Sequence, residues 1–547
     1  MRLGALLIAA ICLVAALILV RPLTRDHPLD QYSDDEEHFK YGSIGSETGG
    51  TLLHPIGGLL PPEPIFIAMP KVCKNVVTRT GESSYARVSS YKDFGLIYER
   101  KRDGEERALP VGISRRERLG GNMLGVNCAL CHAGTVRTAP EAEARVVPGM
   151  PPQQVDVQRL FRFIFDCIQS SEFTANNVIK HIKAVENRQL GLLEQVRYRL
   201  LIPRIRGQVR DLDARIGVLT SDRVVASGPG RLDTINPGKA LEVGWNLEAL
   251  LVTSRRERGP SHELVGTADF PSAWNLNARD TPGFRMHWDG NFGSVEETLL
   301  SAALAVGAKP QTLDGKAFDR IEQYLRTLKP PAYPYRLDEA RAAAGAGIFN
   351  TSCAECHALG SATAGATTAN ERRLVGRVTA NDELGADSAR LNAFSPLYAA
   401  RLPVALNQNY ARSQFAFRSV HKTGGYANVP LDGIWARAPY LHNGSVPTLR
   451  DLLQPEPCRP PRFHRGSDVY DPANVGFVSY AEPTADAACL QRPDAFRPGP
   501  TFWDAPPDAH LFVFDTRLPG NHNTGHAWGT VLNVEEKEQL LEFLKTQ

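Results

Sequence analysis

Cys128-Ala-Leu-Cys131-His132 recurs as Cys353-Ala-Glu-Cys356-His357, and no other feature constrains the chain as tightly. In C-x-x-C-H, two thiols form thioethers to a porphyrin and the adjacent imidazole coordinates its iron from below, the arrangement of c-type haem attachment. With 9 cysteines and 14 histidines in 547 residues, one such match is expected by chance only about 0.004 times. The competing readings, redox dithiols or half a zinc site, do not account for a histidine at the same place in both copies. Two covalently bound haem c groups are therefore expected, held by Cys128, Cys131, Cys353 and Cys356, with His132 and His357 as iron ligands.

A chain of this length has room for two to four domains. Its 62 basic and 60 acidic residues leave a net charge of +2, which provides no field for nucleic acid. Leu3 to Val20 is an uncharged run of eighteen residues preceded by Arg2 and followed by Arg21 and Arg25. That length borders between a secretion signal and a spanning helix. The lack of a small-x-small site after Val20 favours an uncleaved membrane anchor over a removed signal, and Ile11 makes Cys12 a poor lipoprotein site. Either way the bulk of the chain is expected on the periplasmic side of a bacterial membrane, or secreted. Cys73, Cys167, Cys458 and Cys489 then form an even set for disulfides with three possible connectivities, of which Cys458 with Cys489 is preferred.

Residues 1–25 are read as the anchor or signal, and 26–115 as an extended arm. Residues 116–331 are read as a first cytochrome c domain with a helical insertion at about 160–225, and 332–547 as a second. The Gly- and Pro-rich stretch from His38 to about Pro70 suggests extended chain, and Phe94 to Tyr98 a short strand. Apolar periodicity predicts helices over Val157 to Gln169 and Asn177 to Arg215, the latter broken at Pro203. Further helices are expected over Ser294 to Val306, Phe318 to Leu328 and Asp338 to Phe349, and from Val534 onward.

The order CxxCH, Trp288-Asp-Gly followed by Ser-Val-Glu-Glu, a second CxxCH, then Ala438-Pro-Tyr-Leu-His442-Asn-Gly-Ser-Val-Pro-Thr-Leu449 resembles the bacterial dihaem cytochrome c peroxidase superfamily. Lys40-Tyr-Gly-Ser-Ile-Gly-Ser-Glu47 and Gly520-Asn-His-Asn-Thr-Gly-His526-Ala-Trp-Gly529 are more similar to its rubber-oxygenase branch. The resemblance implies a mainly α fold, two cytochrome c domains facing each other with long loops and little β-structure. It also implies inter-haem electron transfer through Trp288. Adjacent His287 stands where relatives often carry an aromatic residue; it could reach the haem chemistry or serve as a hydrogen-bonded structural histidine.

The five methionines are Met1, Met69, Met123, Met150 and Met286, so no methionine within the second domain can complete its iron. By the resemblance, His526 partners His357, with His522 and His421 as alternatives, and two imidazoles make that haem an electron reservoir. The first haem is then the reactive centre. Where peroxidases of the superfamily carry a catalytic Gln and Glu, this chain has Val295-Glu-Glu-Thr298-Leu and Ala305-Val-Gly-Ala-Lys309. Peroxide heterolysis needs a positioned acid or base. An apolar distal wall, with Leu304 as a candidate, suits O2 and an unsaturated hydrophobic substrate, polyisoprene- or fatty-acid-like, better. The competing functions are reduction of H2O2 fed by a small redox protein, and electron carriage without catalysis. Calcium occurs between the domains of the peroxidases, but no ligand set here is distinctive enough to predict it.

Overall fold

The computed structural model describes residues 24–25, 32–47, 59–76, 88–118, 121–217, 225–241, 243–245, 265–309, 312–357, 374–410, 416–493, 498–506 and 511–547. The segment 3–20 lies outside them. Among the described residues no helix is long and apolar enough to cross a membrane. The fold is mainly helical, with one three-stranded sheet and several two-stranded pairs. The sheet joins β1 (Thr24–Arg25), β2 (Ile113–Arg118) and β3 (Gly121–Val126) in antiparallel order.

The arm is less extended than its composition suggests. It contains α1 (Asp35–Tyr41), whose N-cap Asp34 accepts a bond from Glu37 N–H, and α2 (Glu63–Val72). Pro64 occupies the first turn of α2, where its missing N–H costs nothing, and Pro70 falls near the end. Between them Ile65, Phe66, Ala68 and Met69 are buried, and that burial outweighs the composition. Phe94 to Tyr98 is not a strand: Tyr91–Phe94 forms a 3-10 turn closed by Gly95 in the left-handed region.

The insertion forms α3 (Val157–Gln169), α4 (Ala175–Glu186) and α5 (Leu192–Ile216). The break lies at Asn187, left-handed at φ 48°, and not at Pro203, which sits inside α5. Pro203 is exposed, so the carbonyl it orphans one turn back faces water, while Leu201, Ile202, Ile205 and Val209 hold the opposite face in the core. These helices share one apolar cluster with α2 and with Leu130 of the first haem motif. Disulfide Cys73–Cys167 links the end of α2 to α3, and Cys458–Cys489 pairs as expected.

A second cluster packs α1 against α6 (Val295–Ala305) and α7 (Gly315–Thr327), taking in Ala129 and Ala133. Ser294 and Asp314 cap α6 and α7 through their side chains. A third cluster joins the two halves of the chain: Val136, Val147, Met150 and Trp274 pack with Trp435, Tyr440, Tyr470 and Leu540.

Within this last cluster, α8 (Glu339–Ser352), which leads into Cys353, lies against α9 (Val534–Leu544). A Cβ at Gly345 would overlap the Gln539 carbonyl, whereas at Gly347 it would meet nothing within 4 Å. Gly345→Ala is therefore expected to destabilise by on the order of 1–3 kcal/mol despite its better helix propensity. Gly347→Ala should stabilise by about 0.5–1 kcal/mol. Thermal unfolding of the two variants checks the opposite signs.

His38 on α1 is only 1% exposed, neither ring nitrogen has a hydrogen-bond partner, and burial pushes its pKa down to about 4. The unfolded chain binds a proton there near pH 6.5, which the folded chain refuses until about pH 4. Between those values the unfolded state holds more protons, so this contribution is complete above about pH 6.5 and is lost as pH falls toward 4. It amounts to on the order of 2–3 kcal/mol. Denaturant titrations across that window should show His38→Gln flattening the acid limb.

Candidate haem centres

The first motif is fixed from several sides at once. Asn127, fully buried, accepts from Ala129 N–H through Oδ1 (3.0 Å) and donates to the Gly42 carbonyl through Nδ2 (3.0 Å). Ser46 Oγ donates to Val126 O at 2.7 Å. The Lys40–Glu47 motif thus braces the chain immediately before Cys128. Cys128 borders the cluster of α1, α6 and α7, and Cys131 the cluster of α2 to α5, so the two thiols straddle two cores. Burial raises their pKa values to about 11 and about 12. Neither takes part in a disulfide, nor do Cys353 and Cys356, while the other four described cysteines are bridged.

His132 Nδ1 lies 2.9 Å from the Pro271 carbonyl, and His357 Nδ1 lies 2.7 Å from the Val429 carbonyl. A carbonyl only accepts, so each Nδ1 carries the proton and each Nε2 keeps its lone pair for a metal. Burial lowers both imidazole pKa values, that of His132 to about 4, which keeps the rings neutral as ligation requires.

The rings of His357 and His526 are 6.2 Å apart between centroids. Two metal–nitrogen bonds of about 2.0 Å plus roughly 1.1 Å from nitrogen to centroid on each side sum to about 6.2 Å. The pair therefore fits the two faces of one iron. The alternatives point elsewhere: His522 Nδ1 is 3.1 Å from Thr516 O, and exposed His421 lies against Ser419 and Arg285. Among the described residues, the aromatic ring in contact with His132 is Phe270, at 6.5 Å; buried His287 lies within electrostatic range of His132 without the ring contact that His526 makes with His357.

His526 rides on a loop in a left-handed conformation, φ 54°, and its N–H donates to Leu384 O at 3.1 Å. Arg459, 2% exposed, holds the loop with bonds to the carbonyls of Asn523, Gly525 (2.8 Å) and His526 (3.1 Å). Arg459→Ala removes three of the loop's tethers. The expected result is a second centre with unchanged haem content but a heterogeneous low-spin EPR signal, restored in part by Arg459→Lys, and a loss of about 2–4 kcal/mol.

Trp288 bonds to the segments that carry both acceptor carbonyls. Its indole N–H donates to Asp269 O at 2.7 Å, two residues from the Pro271 carbonyl that holds His132. Its own carbonyl accepts from Ala427 N–H at 2.8 Å, two residues from the Val429 carbonyl that holds His357. The ring packs with Leu384, Ala386, Leu391 and Tyr426. His287 sits in the same tight turn at φ 65°, its ring 4.6 Å from Phe292. Burial brings its pKa down to about 4, so it is a neutral imidazole at neutral pH. Leu304, half-buried on α6, belongs to the apolar cluster that Cys128 borders, with Leu299, Leu300, Ala303 and Met286.

Sequence reasoning did not find Arg459, the two acceptor carbonyls or the buried arginines. Arg390, buried near His287, and Arg437, part-buried near His357, each have an Nε–H that lacks a partner. Such donors fit the propionate carboxylates that a porphyrin carries. Glu297, which precedes the Thr298 that stands where the peroxidases carry their catalytic Gln, is saturated: Arg418 N–H, Ser419 N–H and Ser419 Oγ all donate to it, at 2.6 to 3.2 Å. Thr298 Oγ1 donates to Ser294 O within its own helix.

Residues 425–464 match the protein family described as RoxA-like, cytochrome c-like. That stretch carries Val429, Arg437, His442 and Arg459, and the match supports a c-type cytochrome of the oxidoreductase class with covalently bound haem c. The chain is also similar to two uncharacterized proteins of Sinorhizobium fredii. It is 29% identical to y4iM over 305 residues, 51% of this chain and 64% of that one. It is 27% identical to y4iJ over 412 residues, 61% and 62% respectively. The matched stretches thus span just under two thirds of each relative.

Proposed function

We propose that this protein is an exported two-haem oxygenase in which the first centre uses O2 to attack an unsaturated hydrophobic substrate and the second stores and returns electrons. The observation that carries this reading is the inequality of the two centres. His526 faces His357 at a bis-imidazole distance, while among the described residues no imidazole is in ring contact with His132, His287 being in electrostatic range only, and the core beside its motif is apolar.

When bound, the porphyrin iron supplies the redox chemistry. The protein's contribution at the first centre is to fix the His132 tautomer through Pro271 O and to surround the site with Leu299, Leu300, Leu304 and Phe292, which exclude water and receive an apolar chain. At the second centre His357 and His526 would hold the iron. Trp288 links the peptide segments that hold the two proximal histidines. Thr298 stands in place of the peroxidases' catalytic Gln with its hydroxyl turned back to Ser294 O, and the Glu297 carboxylate before it is already taken up by donors, which favours O2 over H2O2 as oxidant. Export, and attachment through residues 3–20, belong to the same proposal.

The test is oxygen uptake by the holoprotein with polyisoprene and with unsaturated fatty acids, read beside its absorption and EPR spectra. One low-spin bis-imidazole component and one component that responds to cyanide or imidazole are expected. Two unresponsive low-spin components without oxygen uptake would select an electron carrier, and peroxide turnover with a reduced small cytochrome would select a peroxidase.

A further inference from the structure

The insertion ends in a feature that the haem chemistry does not use. At the start of α5, Leu192, Leu193, Val196 and Leu200 are 78%, 85%, 44% and 48% exposed. At 100° per residue these four side chains fall within an arc of about 100°, and exposed Pro203 extends the same stripe. Exposed Arg199 lies about 20° beyond one edge and exposed Arg204 about 20° beyond the other. The opposite face of α5 is already buried through Tyr198, Leu201, Ile202, Ile205 and Val209. An apolar stripe bordered on both sides by arginine matches the bilayer interface, where apolar side chains enter the acyl boundary and long cationic ones reach back to headgroups.

The position of the stripe agrees with its chemistry. The uncharged run of residues 3–20 ends at Val20, and the four steps to Thr24 span at most about 14 Å. Thr24 pairs with Arg118, and Arg118 with Gly121. A Cβ on Gly121 would overlap the Arg197 guanidinium, so this end of the sheet abuts the N-terminal half of α5. We infer that the Leu192–Leu200 face of α5 is a second membrane contact, lying in the interface of an anionic bilayer beside the point where residues 3–20 leave it. The orientation argument rests on the reading of that run as membrane-inserted. Tethering raises the effective concentration of the bilayer at the stripe, so a weak interfacial face suffices.

The test uses the full-length holoprotein reconstituted into vesicles of phosphatidylcholine with phosphatidylglycerol, with p-benzoylphenylalanine replacing Leu193, Leu13 or Val531 in separate preparations. Val531, 93% exposed in the C-terminal segment, is the control. Light-driven adducts at 193 are expected to be with lipid, at least about fivefold above those at 531. Adducts at 193 with residues 1–23, a dimer-sized product, or lipid labelling no greater than at 531 would overturn the proposal. Lipid adducts at 13 without any at 193 would overturn it while leaving the anchor standing. No lipid adducts at either position would remove the anchor reading and this inference together.

Discussion

Replacing His526 with alanine is expected to abolish the bis-imidazole low-spin signal of the second centre while both haems stay attached. Thioethers at this motif would be made by Cys353 and Cys356, which the substitution does not touch. His357's partner in holding an iron would be a single ring, placed 6.2 Å from it. No other described histidine is placed to replace it, because His522 is engaged with Thr516 O and lies near Asp387. Removal leaves a cavity the size of an imidazole, so added imidazole should restore the signal. Oxygen uptake should fall at least about tenfold, corresponding to about 1.4 kcal/mol or more in the barrier, since the electron store is altered. A low-spin signal retained without added imidazole would show that another residue ligates that iron.

Trp288→Phe should leave both ligation spectra intact and slow electron exchange between the centres by at least about tenfold. Phenylalanine keeps the packing against Ala386, Leu391 and Tyr426 but loses the N–H that reaches Asp269 O. The Trp288 carbonyl, bonded to Ala427 N–H, is unaffected, so the turn should persist with a stability loss of about 1 kcal/mol. Stopped-flow reduction of one centre, followed by the appearance of reduction at the other, reads the exchange directly. An unchanged rate would mean that electrons pass between the centres by another path.

Much of this molecule could be read before any fold was known, and the successes share a cause. The helices that begin after Ser294 and Asp338 and the 157–169 helix depend on residues within one or two turns of each other. The misreadings share a cause too. The arm was expected to be extended because of its Gly and Pro content, yet α2 forms because Ile65, Phe66 and Met69 have a core waiting in α3 to α5. Pro203 was expected to break a helix, yet the carbonyl it orphans faces water.

By itself the sequence determined the two thiol pairs and the histidine that follows each, because covalent geometry dictates that spacing within a few residues. Only the tertiary structure decided that His526, rather than His522 or His421, comes up to His357, that Arg459 steadies its loop, and that Pro271 and Val429 present the orienting carbonyls. Those choices join residues far apart along the chain. Their distances are set by how three apolar clusters pack together, a sum over many side chains that no local pattern encodes.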